Sequence, residues 1–282
     1  MKYTIFPGCL IQNRFPEYEK SAHYILKKLD VPIEFVNSFS CCGSQIAESV
    51  DDSILNIITA RNLAIAKEQK IDMIITLCGS CTYILKKAKL ELDDKGAREI
   101  VNEALKKIDL FYENGIKIKH FAEILNEKGY FEKLKSKLIK SINLKVVFQN
   151  PCMLMRPDRI AQIENEKYNL IKNLLESSGA MVQNYDYQDK CCEGTMLVGK
   201  NKLGESLVKI RYDSLNETNA DLMITSCPNC QLVYNIFPST LNKKTIPSIF
   251  FTQLIGFALG GSYKELGLNR NIDFKRIKEI LN

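Results

Sequence analysis

The sequence predicts an α/β protein of two pseudo-symmetric Rossmann-like halves, each a small parallel sheet with flanking helices. Two observations carry this. The cysteines fall into two copies of one pattern, and short β-prone runs alternate with helical runs in both copies. The first copy is Cys9, Cys41-Cys42, Cys78 and Cys81; the second is Cys152, Cys191-Cys192, Cys227 and Cys230. As spacings they read C-x31-CC-x35-C-x2-C and C-x38-CC-x34-C-x2-C, and all 10 cysteines are used. Lys2-Tyr-Thr-Ile-Phe-Pro-Gly-Cys9 matches Lys145-Val-Val-Phe-Gln-Asn-Pro-Cys152, and Asp72-Met-Ile-Ile-Thr-Leu-Cys78 matches Asp221-Leu-Met-Ile-Thr-Ser-Cys227. His120-Phe-Ala-Glu-Ile-Leu parallels Phe251-Thr-Gln-Leu-Ile-Gly. Internal duplication follows, with domains at 1–142 and 143–282 and a boundary near Ser141-Ile142-Asn143.

In the first half, a strand at 3–6 precedes a helix at 16–29, where Tyr18, Ala22, Ile25, Leu26 and Leu29 recur at helical spacing. A strand at 32–37 leads to the cysteine pair. A long helix at 51–69 carries Ile54, Ile57, Ile58, Ala64 and Ile65 on its apolar side, and a strand at 72–77 follows. The Lys- and Glu-rich segment 84–139 reads as helices joining the halves. The second half repeats the order, with strands near 144–149, 181–185 and 221–226 and helices near 163–178 and 202–217.

Composition narrows the function. At 282 residues, with 45% hydrophobic and 26% charged residues, the chain is an ordinary globular one. The opening residues carry no secretory signal. The most apolar stretch, Ile246 to Tyr263, is broken by Ser248, Thr252, Gln253 and Gly256, so no membrane span is expected there. A cytoplasmic location is expected, where thiols stay reduced. The net charge of +6 is carried mostly by lysine and suits an anionic substrate or acidic partner as well as a plain solvated surface. Nucleic-acid binding is not expected, since no basic run interleaves with aromatics.

Placement matters more than identity for the cysteines. Cys9, Cys78, Cys152 and Cys227 each follow a strand, and parallel sheets collect ligands beyond the carboxyl ends of their strands. Cys78-x-x-Cys81 and Cys227-x-x-Cys230 open helices, where the positive dipole end favours thiolate. Five thiols per half is an odd count for disulfides and one too many for tetrahedral zinc, though zinc on four of the five remains open. Iron–sulfur centres accept all-thiolate ligation and can use every position.

The paired pattern, with its Pro-Gly-Cys and Cys-Cys-Gly contexts, resembles the CCG-domain family over essentially the whole chain. Within it, the opening Pro7-Gly-Cys-Leu-Ile-Gln-Asn-Arg-Phe-Pro16 is most like the B-subunit group of methanogen heterodisulfide reductases. The resemblance implies a noncubane 4Fe–4S cluster in each half, bound by all five of its cysteines. It implies two-electron reduction of the mixed disulfide of coenzyme M and coenzyme B, held between the clusters. It also implies two partners from the same complex, one a small ferredoxin-like iron–sulfur protein and the other a flavoprotein. The alternatives are a paralogue that reduces another disulfide or relays electrons, and a non-catalytic scaffold with zinc in one half. Met153 and Phe251 stand where relatives often carry histidine, and the 34-residue spacing before Cys227 is one short of the usual.

Outside the cysteines, Arg156, Arg159, Arg14 and Lys190 lie close in sequence to ligands and are candidates for holding an anionic substrate. His23 reads as a surface or packing residue. His120, after a strand-like run, is weighed between a structural role and one near the first cluster. Gly43 and Gly194 are expected to allow tight turns beside the cysteine pairs.

Overall fold

The computed structural model describes residues 1–161, 169–199, 201–243 and 245–282. Two four-stranded sheets form, parallel throughout. The first comprises β1 (Tyr3–Phe6), β2 (Ile33–Glu34), β3 (Met73–Thr76) and β4 (Lys117–His120), in the order β2-β1-β3-β4. The second comprises β5 (Lys145–Phe148), β6 (Met181–Val182), β7 (Leu222–Thr225) and β8 (Ser248–Phe250), in the order β6-β5-β7-β8. The predicted fold class is the observed one. In each sheet the strand order reverses between the first and third strands, which opens a crevice at their carboxyl ends. Cys9 and Cys78 flank one crevice; Cys152 and Cys227 flank the other.

The central strands β1, β3, β5 and β7 lie where expected because they are buried on both faces and read as continuous apolar runs. The outer strands differ. The run at 32–37 pairs only over Ile33–Glu34 and that at 181–185 only over Met181–Val182. The segment 84–139 is not purely helical, since Lys117–His120 inserts as β4. The helix Pro16–Lys28 matches its predicted range, as do Asp52–Glu68 and Lys202–Glu217. Within Asp52–Glu68 the predicted apolar side is partly wrong: Ile54 is exposed, and Leu55, Ala60, Leu63 and Ala64 make the buried face. The helix read at 163–178 is seen as Leu170–Ser177; residues 162–168 lie outside the described residues.

Successive strand residues point to opposite faces, and so to two cores. Tyr3, Ile5, Val146, Phe148, Leu222 and Ile224 enter one; Phe6, Ile74, Val147 and Met223 enter the other. Each core takes residues from both halves, and in the first of them helices of the two halves pack directly on one another. The helices reciprocate across a pseudo-two-fold. The helix Phe251–Ala258, after β8, lies on Pro16–Lys28, while Phe121–Asn126, after β4, lies on Leu170–Ser177. Between the first two, Ser21 and Thr252 share a buried hydrogen bond of 2.6 Å.

Candidate metal centre

The helices that carry cysteines obey the same two-fold. Gly79–Glu91, capped by Cys78, rests on Cys152–Met155, and Pro228–Gln231, capped by Cys227, rests on Cys9–Arg14. Close approach at the first contact needs glycine: a Cβ on Gly79 would stand 2.8 Å from Pro151 Cβ. The two sheets thereby turn their carboxyl edges toward each other, and Cys78 Sγ and Cys227 Sγ meet at 3.8 Å.

All ten cysteines are free thiols, and they form one unbroken line. From the middle outward, Cys78 contacts Cys81, Cys81 contacts Cys42 at 3.4 Å, Cys42 contacts Cys41, and Cys41 contacts Cys9. The other direction repeats it through Cys227, Cys230, Cys192, Cys191 and Cys152. The inner three of each half are buried, while Cys9, Cys41 and Cys191 are exposed and Cys152 is half-buried.

Thiols this close cannot all ionise together. Cys41 is held down at about 2 by hydrogen bonds from Cys42 and Cys9, and Cys191 at about 2 by those from Cys152 and Cys192. Their neighbours Cys9, Cys42, Cys152 and Cys192 are pushed up by the thiolates they face and by burial. Only a strongly cationic group among them would let every sulfur become thiolate. Among the described residues, no three His, Cys, Asp or Glu side chains converge as they would around a single ion. A line of five sulfurs per half fits a multi-iron sulfur-ligated group better than one tetrahedral ion.

A cavity of about 210 Å³ opens on the first half's cysteines. Gly8, Cys9, Cys42, Cys78 and Cys81 line it from one side, and Thr195, Pro228, Asn229 and Leu232 of the second half from the other. At its wall Ser80 Oγ donates to Gln45 Oε1 at 2.8 Å, leaving Gln45 Nε2 buried with no partner among the described residues. Gly8 takes φ 67°, the left-handed region that favours glycine, and a Cβ there would also crowd Cys81 Sγ at 3.2 Å.

The turn residues follow one expectation and correct the other. Gly43 takes φ 91° beside the first pair as predicted, but the matching left-handed residue in the second half is Glu193, at φ 62°. Gly194 is needed instead for close approach, since a Cβ would lie 3.0 Å from the Asn229 carbonyl oxygen. Strand register also shifts one alignment. His120 pairs with Thr76 as Phe250 pairs with Thr225, so Phe250, not Phe251, is the counterpart of His120.

His120 reaches across to the second half, beside Cys227. It is fully buried; its Nδ1 accepts from Ala122 N, and its Nε2 donates to Ser226 O at 3.2 Å, next to Cys227. Tyr18 Oη donates to the same carbonyl at 3.0 Å. His23 is a packing residue, stacked on Phe35 and facing Glu19. The four predicted cations are all exposed, and none lines the cavity. Arg156 donates to Asp189 O, Lys190 Nζ lies 4.9 Å from the Tyr187 ring, Arg159 stands near Tyr83, and Arg14 ends the helix Cys9–Arg14.

Sequence reasoning missed Arg211. Only 2% exposed, it donates to Cys191 O, to Tyr187 O at 3.3 Å and to Gln149 Oε1 at 3.4 Å. Its one sequence signal is position: counted from the helix caps Asp51 and Asn201, it matches Arg61.

Comparison with known proteins places these features. The family model described as a cysteine-rich domain, CCG, matches residues 3–86 and again 146–234, covering both cysteine sets. The chain belongs to the CCG cysteine-rich domain family. Among CCG relatives, the B subunit of a ferredoxin/F420H2-dependent CoB-CoM heterodisulfide reductase from Methanosarcina acetivorans is 30% identical, over 96% of this chain and 93% of that protein. The membrane anchor subunit of an 8-methylmenaquinol:fumarate reductase from Wolinella succinogenes is 28% identical, over 96% of each. A solved hypothetical protein from Helicobacter pylori shares the fold with a TM-score of 0.77 at 18% identity; the match covers 96% of this chain and about half, 51%, of that one. Among the described residues no helix is long and apolar enough to cross a membrane.

Proposed function

We propose that this CCG protein is the catalytic subunit of a cytoplasmic heterodisulfide reductase. Its reaction would take two electrons and two protons to split the coenzyme M–coenzyme B disulfide into two thiols. The observation that carries this is the meeting of two complete five-cysteine sets across the two-fold, with Cys78 and Cys227 at 3.8 Å. Support also comes from full-length similarity to proteins named as the B subunit of such reductases.

Cys9, Cys41, Cys42, Cys78 and Cys81 would hold one noncubane 4Fe–4S cluster, and Cys152, Cys191, Cys192, Cys227 and Cys230 the other. Such clusters supply single electrons and iron sites with affinity for sulfur. The chain's own part is to shape the space between. Ile11, Leu232 and the buried thiols keep the cavity apolar and limit water, which strengthens every polar contact inside. Ser80 and Gln45 from one half, with Thr195 and Asn229 from the other, offer the polar groups that would orient a substrate. The unpartnered Gln45 Nε2 is a donor ready for an acceptor entering there. Arg14, Arg156, Arg159 and Lys190 would act farther out, attracting the anionic arms of the substrate. A ferredoxin-like iron–sulfur protein and a flavoprotein of the same complex would deliver the electrons.

Anaerobically purified protein should contain about eight irons per chain and cleave the heterodisulfide with a reduced dye; Cys81→Ser and Cys230→Ser should each abolish turnover. Two zincs with negligible iron, or unchanged turnover in either variant, would defeat the proposal. The Wolinella succinogenes relative favours a second reading, electron relay to a quinone-linked partner. Dye-driven iron chemistry without disulfide cleavage would select it.

A further inference from the structure

We infer that the two centres are electrically unequal, and that Arg211 makes the second half's centre hold an added electron more tightly than the first's. This rests on the reading that each half binds an iron–sulfur centre.

Arg211 is a guanidinium sealed inside the protein at 2% exposure. Nη1 donates to Gln149 Oε1, Tyr187 O and the Tyr234 hydroxyl, and Nη2 donates to the carbonyl of Cys191. Its face lies 4.8 Å from the Tyr187 ring. Nε is buried with no partner, and among the described residues no carboxylate is within ion-pair distance. A buried charge without a counter-ion is strongly destabilising. The anion that would balance it is the thiolate set of Cys191 and Cys192, which it adjoins. Arginine stays charged at any physiological pH, so this positive charge is permanent.

The first half lacks the device. Its counterpart Arg61 is half-exposed and donates to Ser38 O at 3.1 Å. By strand register Gln149 is replaced by Phe6, and counted from the caps Cys78 and Cys227, Tyr234 is replaced by Leu85. Both replacements are buried and apolar. The duplicated fold therefore gives the second cysteine pair a neighbouring cation, with the hydroxyls of Tyr185 and Tyr234 beside it, where the first half has the apolar Phe6 and Leu85. Glu193 also faces Cys191 and Arg211, but it is half-exposed and water screens it more than the buried guanidinium. Net charge and hydrogen bonding around the sulfurs set the potential of iron–sulfur centres, so the second should be reduced first.

The test is an anaerobic redox titration of the full-length, iron-loaded protein followed by electron paramagnetic resonance. Wild type should show two separate waves. Arg211→Gln should lower the higher-potential wave by at least tenfold in its one-electron equilibrium constant, 59 mV, and leave the other in place. Glu193→Gln should raise that same wave. Arg211→Lys, which keeps the charge, should hold it within the tenfold range. Coincident waves in the iron-loaded wild type, movement of the lower wave or of neither in Arg211→Gln, or a Lys variant displaced as far as Gln, would overturn the inference while leaving the two-centre reading intact. A chain that binds no iron would overturn both.

Discussion

At His120 both ring nitrogens are committed, Nδ1 as acceptor from Ala122 N and Nε2 as donor to Ser226 O. That arrangement needs the neutral ring, and burial holds its pKa down at about 4. In the unfolded chain the ring titrates near its ordinary value of about 6.5. Between these values the unfolded state binds more protons, so stability rises with pH there. The contribution is fully present above about 6.5 and is lost as pH falls toward 4, at most about 3 kcal/mol. The Tm of wild type should therefore fall further between pH 7 and pH 5 than that of His120→Gln, measured anaerobically by circular dichroism. Equal falls would mean that the ring titrates normally. The sequence alone left His120 open between structure and a role near the first cluster, because residue identity does not say which carbonyl a ring will meet.

Among the elements, the helix Ser44–Val50 carries Gln45 on the cavity wall, and Lys87 ties it to the helix that holds Cys81. Lys87 Nζ lies 2.8 Å from Glu48 and 2.7 Å from Asp52, and Tyr83 Oη donates to Glu48 at 2.7 Å. The lysine is nearly buried whereas Asp52 is largely exposed, so the Glu48 contact matters most. Lys87→Met should cost on the order of 1–3 kcal/mol and lower Tm by several degrees. Iron loss on incubation with a chelator should quicken, as the cavity wall loosens; an unchanged Tm would show that the tie is dispensable. The long helices were legible from the spacing of their apolar residues and the central strands from their continuous apolar runs. The edge strand Lys117–His120 showed only as a strand-like run before His120, because Lys117 and Lys119 alternate with Ile118 on a half-solvated edge and resemble the lysine-rich helices around it.

For the whole molecule, the decisive feature is that both cores are shared. Leu55 and Leu63 of the first half lie in one cluster with Val208 and Tyr212 of the second; Tyr18 and Phe15 of the first lie in the other with Phe250 and Phe251. Tyr18 stacks on Phe250 with ring centroids 3.9 Å apart. Expressed separately, 1–142 and 143–282 should each expose this apolar surface and aggregate. Co-expression should restore soluble, iron-bearing protein, read by gel filtration and metal content. A soluble isolated half with a cooperative melt would show that the shared cores are not required.

The ten cysteines, their pairing into two sets and the four central strands were determined by the sequence alone, because duplicated motifs and doubly buried strands leave local patterns. The facing of the two sets was implied by the family resemblance, but the meeting of Cys78 with Cys227, the seat of His120 against Ser226 and the burial of Arg211 came only with the tertiary structure. Each is a contact between segments far apart in the chain. Burying a guanidinium, above all, contradicts what composition teaches about arginine. It becomes intelligible only when the thiolate set that would balance it is seen beside it.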